Sequence, residues 1–560
     1  MKSKFIRKFI KIENGVMVIH KNIIITIVSL IVFVVLGIIG YKSYPMFFKE
    51  TNDTPQYIFT PSINVEDKKQ NNTKRGYAVS TSSDLATKVG MQVLESGGNA
   101  IDAAIAVAYT LAIVEPHASG LGGSGGLLVY DMNTQECVFY DYRATASLGD
   151  SYTTIAVPGF VAGMQACYDD YGTLSMSDLL DPAIYYAENG FVMNNQLKSR
   201  LNIAQSDLKN IAWLHNDDGK YLTTGDTVYQ LEIAKVLRSI RDEGSDVFYK
   251  GWIAKDIASK TSLTLEDLES YQVYKRKAIQ GYFGDYTVYS ANSPLSGVTL
   301  IQMLELADEL DIVNPNEDIK TYLSQLKQIT ALAYGNRYNT IGDPNFYDID
   351  DQSLINKNYI KKMLDSNYNE IGYDLDEESV ETTSFCIVDS NGLVVSCTNT
   401  LTQFFGARRE VDGILMNSSN NNFSESGINK YEAGKRSRTF TAPTIIVGDD
   451  GYVLSIGTPG GNNIPSRLFN VIVDILKFKE EPQDAVSKMN VIYHNGTLML
   501  ELDEDNKIWL DTSNIKESIV WEDSGIWWGS ISLTGYENGK AFSAYDTRRG
   551  ATMSGTYNGK

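Results

Sequence analysis

Apolar residues in the first two-thirds of the chain recur mostly at helical spacing, and after residue 382 they give way to short β-branched runs between Gly and Asn turns. Leu85, Val89, Val93 and Leu94 mark one face of a helix that Ser82-Ser83-Asp84 can cap and Gly97-Gly98 stops. An Ala-rich stretch over 99–111 predicts a second helix able to pack closely. Residues 140–380 read as mostly helical, with loops at Val157-Pro158-Gly159 and Ser293-Pro294-Leu295-Ser296-Gly297. At the junction an acidic run (Asp365, Glu370, Asp374, Asp376, Glu377, Glu378, Glu381) leads into Thr382-Thr383. The apolar run that follows predicts a buried strand, Ser390-Asn391-Gly392 a tight turn, and 393–398 the returning strand. A hydroxyl therefore stands at the start of a core strand, behind a segment with no reason to be ordered.

The N-terminus has a different pattern. Residues 1–21 carry Lys2, Lys4, Arg7, Lys8, Lys11 and Lys21 against one acidic residue, Glu13, and 22–41 run without a charge. That is about the ~20 apolar residues that cross a bilayer, and the basic flank predicts a cytoplasmic tail with everything after residue 41 outside the cell. A cleaved signal peptide competes with this reading, but the run is long for one and no A-x-A-like site follows. The expectation is a single-pass signal anchor over 22–41, a linker over 42–75, an α-rich part over 76–381 and a β-rich part over 382–560. The length admits one intertwined catalytic unit or two domains.

Composition narrows the functions. A formal net charge of −20 argues against nonspecific nucleic-acid binding, which needs clustered Lys and Arg. Cys137, Cys167, Cys386 and Cys397 lack metal-ligand spacing and read as free, core-facing thiols; His20, His117, His215 and His494 are too dispersed for a histidine metal site.

Two candidate sites compete for the chemistry. The run Gly120-Leu121-Gly122-Gly123-Ser124-Gly125-Gly126 fits both a dinucleotide fingerprint and a nucleophile elbow, yet no strand precedes it and 127–130 look like a strand. A tight glycine turn beside a site is the better reading. Thr382 is the stronger candidate: threonine is a weak nucleophile that needs a base, and cutting the Glu381–Thr382 bond would supply an α-amino group of pKa ~8.

The motifs together resemble the γ-glutamyltranspeptidases, N-terminal-nucleophile hydrolases made as one precursor that cleaves itself into large and small subunits. The matching runs are Gly97-Gly98-Asn99-Ala100-Ile101-Asp102-Ala103-Ala104, Asp141-Tyr142-Arg143, Val157-Pro158-Gly159, Gly342-Asp343-Pro344, Thr382-Thr383, Thr398-Asn399-Thr400-Leu401 and Pro459-Gly460-Gly461-Asn462. The resemblance implies an α/β fold with a layered αββα sandwich and a heterodimer of the two self-cleaved subunits. Thr382 becomes the nucleophile, Thr400 its hydrogen-bonding partner, and Gly460 and Gly461 the backbone donors to the oxyanion. Arg143 aligns with the arginine that holds the substrate α-carboxylate, and Thr402 and Asn463 join the substrate site. The implied partners are a γ-glutamyl substrate and a water or amine acceptor, with the membrane reached through the N-terminal helix; no cofactor is needed.

Asn422 stands where ordinary members carry an aspartate for the substrate α-amino group, and a neutral amide cannot neutralise an ammonium. The run 434–444, with Arg436 and Arg438, together with Arg548-Arg549 looks like the capsule depolymerase branch, which acts on poly-γ-glutamate. Arginine pairs suit a polymer with one carboxylate per residue. The expectation is a self-cleaving γ-glutamyl transferase or hydrolase of poly-γ-glutamate. A general hydrolase of glutathione and γ-glutamyl peptides, and a non-catalytic surface protein that binds polyglutamate or cell wall, are the rivals.

Overall fold

The structure, a computed structural model, describes residues 10–13, 16–19, 54–60, 62, 75–149, 151–366, 381–502, 519–522 and 525–559. It divides into two units, 1–54 and 55–560. In the first, Ile10–Glu13 and Val16–Ile19 form an antiparallel hairpin with Ile10 opposite Ile19. The anchor expected over 22–41 lies outside the described residues, as does most of the acidic lead-in to Thr382. Among the described residues no helix is long and apolar enough to cross a membrane.

In the second unit, part of the expected linker is bound to the body rather than extended from it. Phe59 is buried and its N–H donates to Gln92 Oε1 at 3.1 Å, while Ser62 donates to Asp178 through both its N–H and its hydroxyl.

Two stacked sheets form the frame. The first has seven strands in the order Gly555–Tyr557, Tyr77–Thr81, Glu381–Val388, Leu393–Thr402, Ser124–Asp131, Glu136–Tyr142, Tyr274–Lys277. The second has six, in the order Lys540–Tyr545, Ser532–Glu537, Val453–Gly457, Thr444–Val447, Tyr286–Ser290, Ile279–Phe283. All neighbours in both are antiparallel.

Period-2 alternation sends one set of side chains from each sheet outward to helices and the other inward to the facing sheet. Phe385, Ile387 and Val395 pack with the helices Asp84–Glu95 and Ala100–Val114; Val388 and Val394 pack with Ile445 and Val453 of the second sheet. The helices Gly297–Glu309, Ile319–Thr340 and Ile464–Leu476 cover that sheet's outer face. The result is the αββα sandwich. Hydroxyls stitch the two sheets together: Ser396 donates to the Ile456 carbonyl (2.9 Å), Ser455 to Val395 (2.8 Å) and Ser532 to Ser384 (2.9 Å).

The Thr382 hairpin and both N-terminal helices are where the pattern placed them. Gly392 takes φ +95° in the turn, and Asp389 accepts from the N–H groups of Asn391 and Leu393. Ser124 opens a strand opposite Thr400, so the preceding glycines form a turn and not an elbow. All four thiols are buried; Cys386 lies opposite Ser396 and Cys397 opposite Phe385.

Two features differ from the pattern. Residues 274–290, inside the stretch read as helical, supply three strands, and charged Lys275, Arg276 and Lys277 hide the alternation of the first. The β-rich part also contains the thirteen-residue helix Ile464–Leu476, which covers the second sheet with Leu468, Phe469 and Ile472.

Candidate active site

Thr382 sits second in a strand that is buried along its whole length, at a bulge where the pairing slips between Glu381 opposite Thr402 and Thr383 opposite Asn399. Bulges re-aim side chains. Here the Thr382 hydroxyl faces Thr400 Oγ1 across 3.4 Å. The Thr400 hydroxyl donates to the Glu381 carbonyl at 2.8 Å and accepts from the Thr402 N–H at 2.8 Å. Its single proton is therefore committed to the carbonyl, so Thr382 must be the donor in their contact. One oxygen thus accepts a hydrogen bond from the Thr382 hydroxyl and donates its own to the carbonyl of the Glu381–Thr382 bond, which is intact.

A continuous set of hydrogen bonds runs from this pair to Arg143. Thr402 has φ +79°, and its Oγ1 lies 2.9 Å from Ser419 Oγ. The Ser419 carbonyl accepts from Ser437 Oγ at 2.8 Å, and Ser437 in turn accepts from Arg143 Nη2 (3.1 Å) and, through its carbonyl, from Nε (3.2 Å). Asn422 ends the same short turn, Ser419–Asn422, and is half-buried. Gly460 and Gly461 follow the strand Val453–Gly457, whose last residue stacks on Ser384, two positions from Thr382. Their φ values of +140° and +54° are open to glycine at little cost, the first to almost no other residue. Asn463 is buried beside them, its amide donating to the Trp527 carbonyl (3.2 Å) and its Oδ1 lying 3.1 Å from His494 Nδ1.

Residues 86–520 match the family model described as Gamma-glutamyltranspeptidase. The chain belongs to the γ-glutamyltranspeptidase family. It is 39% identical over 456 residues to the capsule biosynthesis protein CapD proenzyme of Bacillus anthracis, across 80% of this chain and 85% of that one. It is 30% identical over 538 residues to the glutathione hydrolase proenzyme of Bacillus subtilis (strain 168), across 81% of this chain and 91% of that one. The solved cephalosporin acylase of Bacillus halodurans shares the fold, with TM-score 0.76 at 21% identity over 90% of this chain and all of the other. The chain is a self-processing γ-glutamyl-transferring or -hydrolysing enzyme.

Three of the arginines singled out in this γ-glutamyltranspeptidase lie among the protein's own carbonyls and carboxylates. Arg436 is buried: it donates to the carbonyls of Arg143 (3.1 Å) and Gln272 (2.6 Å), lies 3.5 Å from Asp141 and stacks on Tyr274. Arg438 is buried on the carbonyl of Tyr338 (2.9 Å) and against its ring. Arg548 is held by Glu501 at 2.6 and 2.9 Å, by Asp546, and by the carbonyls of Val486 and Lys488. These guanidinium groups are committed to the protein's own frame. Arg549 turns the opposite way, its Nη1 lying 3.5 Å from the Thr382 carbonyl oxygen and 3.5 Å from Glu381 Oε1.

The pattern of the γ-glutamyltranspeptidase sequence did not expose Glu115, His117 or Arg200. Glu115 caps the Ala-rich helix and accepts from Thr383 (2.5 Å) and Ser82 (2.7 Å). His117 Nε2 and Arg200 Nε lie 3.8 and 3.9 Å from the Glu381 carboxyl. Burial, with the Arg200 and Arg549 guanidiniums beside it, keeps His117 well below the usual imidazole range and so neutral. The one available signal was Glu115-Pro116-His117 closing an otherwise apolar helix.

Proposed function

We propose that this γ-glutamyltranspeptidase cleaves its own Glu381–Thr382 bond and then uses Thr382, with its freed amine as base, to open γ-glutamyl amides of a polyglutamate chain. The observation that carries the reading is the relay at Thr400, which orders the Thr382 hydroxyl and polarises the bond to be cut. Attack on substrate yields a γ-glutamyl ester on Thr382; water or an amine then resolves it. Arg143, tied to the nucleophile through Ser437, Ser419 and Thr402, would receive the substrate carboxylate. Gly460 and Gly461 would donate to the oxyanion, and the two fragments would remain together as a heterodimer because their strands pair in one sheet.

Polymer is favoured over glutathione because Asn422 offers no charge to a free α-ammonium, and internal residues of a γ-linked polymer lack one. Similarity to the capsule protein of Bacillus anthracis supports the same choice. The basic stretch 1–21 and the uncharged 22–41 support display of the catalytic part outside the cell on a single-pass anchor.

Intact-mass and N-terminal analysis beside a Thr382→Ala variant tests the cleavage, followed by poly-γ-glutamate and glutathione as parallel substrates. Two fragments with a new N-terminus at Thr382, absent from the variant, are expected, with faster release from polymer. An uncut wild-type chain that still binds polymer would replace the enzyme reading with the binding-protein one.

A further inference from the structure

Glu381 carries the carbonyl that self-cleavage must break, and its side chain is fully buried. Three elements converge on its carboxyl. Arg200 Nε, from the helix Asn195–Ala204, is 3.9 Å from Oε1; Arg549 Nη1, from the turn Thr547–Arg549, is 3.5 Å from the same oxygen; His117 Nε2 is 3.8 Å from Oε2. Glu115 adds a like charge nearby, engaged by Thr383 and Ser82. Neither Glu381 carboxyl oxygen has a hydrogen-bond partner among the described residues, so charge attraction across 3.5–3.9 Å is what holds it. Arg549 Nη1 also reaches the Thr382 carbonyl oxygen at 3.5 Å, so one guanidinium touches both residues of the scissile bond. A buried carboxylate is costly unless its setting repays it.

We propose that Glu381 is a positioning residue for self-cleavage, its ionised carboxyl held between Arg200 and Arg549 so that the scissile carbonyl stays on the Thr382 hydroxyl. The inference rests on the reading of Thr382 as nucleophile. In the first step Thr382 Oγ1 bonds to the Glu381 carbonyl carbon, the C–N bond to Thr382 breaks, and the hydroxyl proton passes to the departing nitrogen. Water then adds to the resulting ester, restoring the Thr382 hydroxyl and leaving Glu381 as a carboxyl terminus. The Glu381 side chain exchanges no proton in either step.

The clamp has a built-in pH response. Burial pushes the Glu381 carboxyl up to about 7 against the pull of Arg549 and Arg200, with Glu115 adding to the rise. Burial and the neighbouring Arg549 lower Arg200 to about 10, which leaves it charged at neutral pH, and His117 stays neutral. Below pH 7 the carboxyl loses its charge and the clamp slackens.

The test follows cleavage of the full chain made by cell-free translation and moved into buffers on either side of pH 7. Wild type is expected to cleave faster as pH rises through that value. Glu381→Gln keeps the shape without the charge; it should cleave ~10- to ~100-fold more slowly at neutral pH, the scale of a small misplacement of reacting atoms, and lose the step. Melting of Glu381→Gln in the uncleavable Thr382→Ala background verifies folding. Cleavage of Glu381→Gln at the wild-type rate, or more slowly but with the step intact, overturns the inference alone. A wild-type chain that never cleaves overturns both it and the reading beneath it.

Discussion

The Thr400 hydroxyl donates a 2.8 Å hydrogen bond to the Glu381 carbonyl oxygen, the atom on which negative charge would gather in the proposed attack by Thr382. The same hydroxyl oxygen accepts from Thr382. Removing it takes away a donor to the oxyanion and the first acceptor of the nucleophile's proton. Thr400→Val is therefore expected to slow self-cleavage by ~100- to ~1000-fold, the usual loss for one such donor, while Thr400→Ser retains most of the rate. Time-resolved gels of newly made chain measure both.

Gly460 adopts φ +140°, where a side chain costs about 1–3 kcal/mol of backbone strain. Gly460→Ala is expected to lower the melting temperature and, in the fraction that folds, to reduce kcat with little change in KM. An oxyanion donor acts in the transition state, so a matched rise in KM would place the loop at substrate binding instead.

Adjacent arginines should separate cleanly by phenotype. Arg548→Ala takes the paired cation from Glu501 and leaves Asp546 with Arg467 alone, and breaking a buried pair of this kind costs about 3–5 kcal/mol. Its expected signature is a large fall in melting temperature with the cleavage site unchanged. Arg549→Ala releases Glu381 and the Thr382 carbonyl, and its signature is accumulation of uncut chain.

Asn422→Asp tests the choice of polymer over glutathione. A carboxylate there would pair with a free α-ammonium, and a hydrogen bond to a charged group contributes about 1.5–3 kcal/mol. The variant should bind glutathione ~10- to ~100-fold more tightly, read as a fall in KM, with the rate on internal polymer bonds little changed. Unaltered KM for glutathione would remove Asn422 from the substrate site.

Stability of the uncut chain should also depend on pH through Glu381. Its carboxyl titrates near 7 in the folded chain against 4.5 as its ordinary value, so the folded state holds a proton that the unfolded state has lost between those values. The contribution is full below pH 4.5, declines as pH rises, and is gone above about 7. In the Thr382→Ala chain the melting temperature should fall across that window more steeply than in Thr382→Ala with Glu381→Gln.

The strand that carries Thr382 and its turn were legible because each is written in neighbouring residues. Apolar alternation after Thr382 specifies a strand, Asn391-Gly392 specifies the turn, and the turn's length sets the register of the returning strand from Val388 opposite Val394 to Thr383 opposite Asn399. The surroundings of Arg436, Arg438 and Arg548 were not legible, for a related reason. A basic pair in sequence carries no mark of whether a carbonyl cage awaits it, and burial with partners replaced the exposed surface that composition suggested.

What the chain alone determined was thus local: the helix faces, the hairpin that begins at Thr382, and the glycine at 460, whose φ of +140° almost no residue with a Cβ adopts. What folding decided was which distant groups share the space around the Glu381–Thr382 bond. Glu381 meets His117, Arg200 and Arg549 from three separate elements, and Arg143 reaches Ser437 across 294 positions. No periodicity links residues that far apart. Their meeting is set by the order of strands in two stacked sheets and by the apolar packing that holds those sheets face to face.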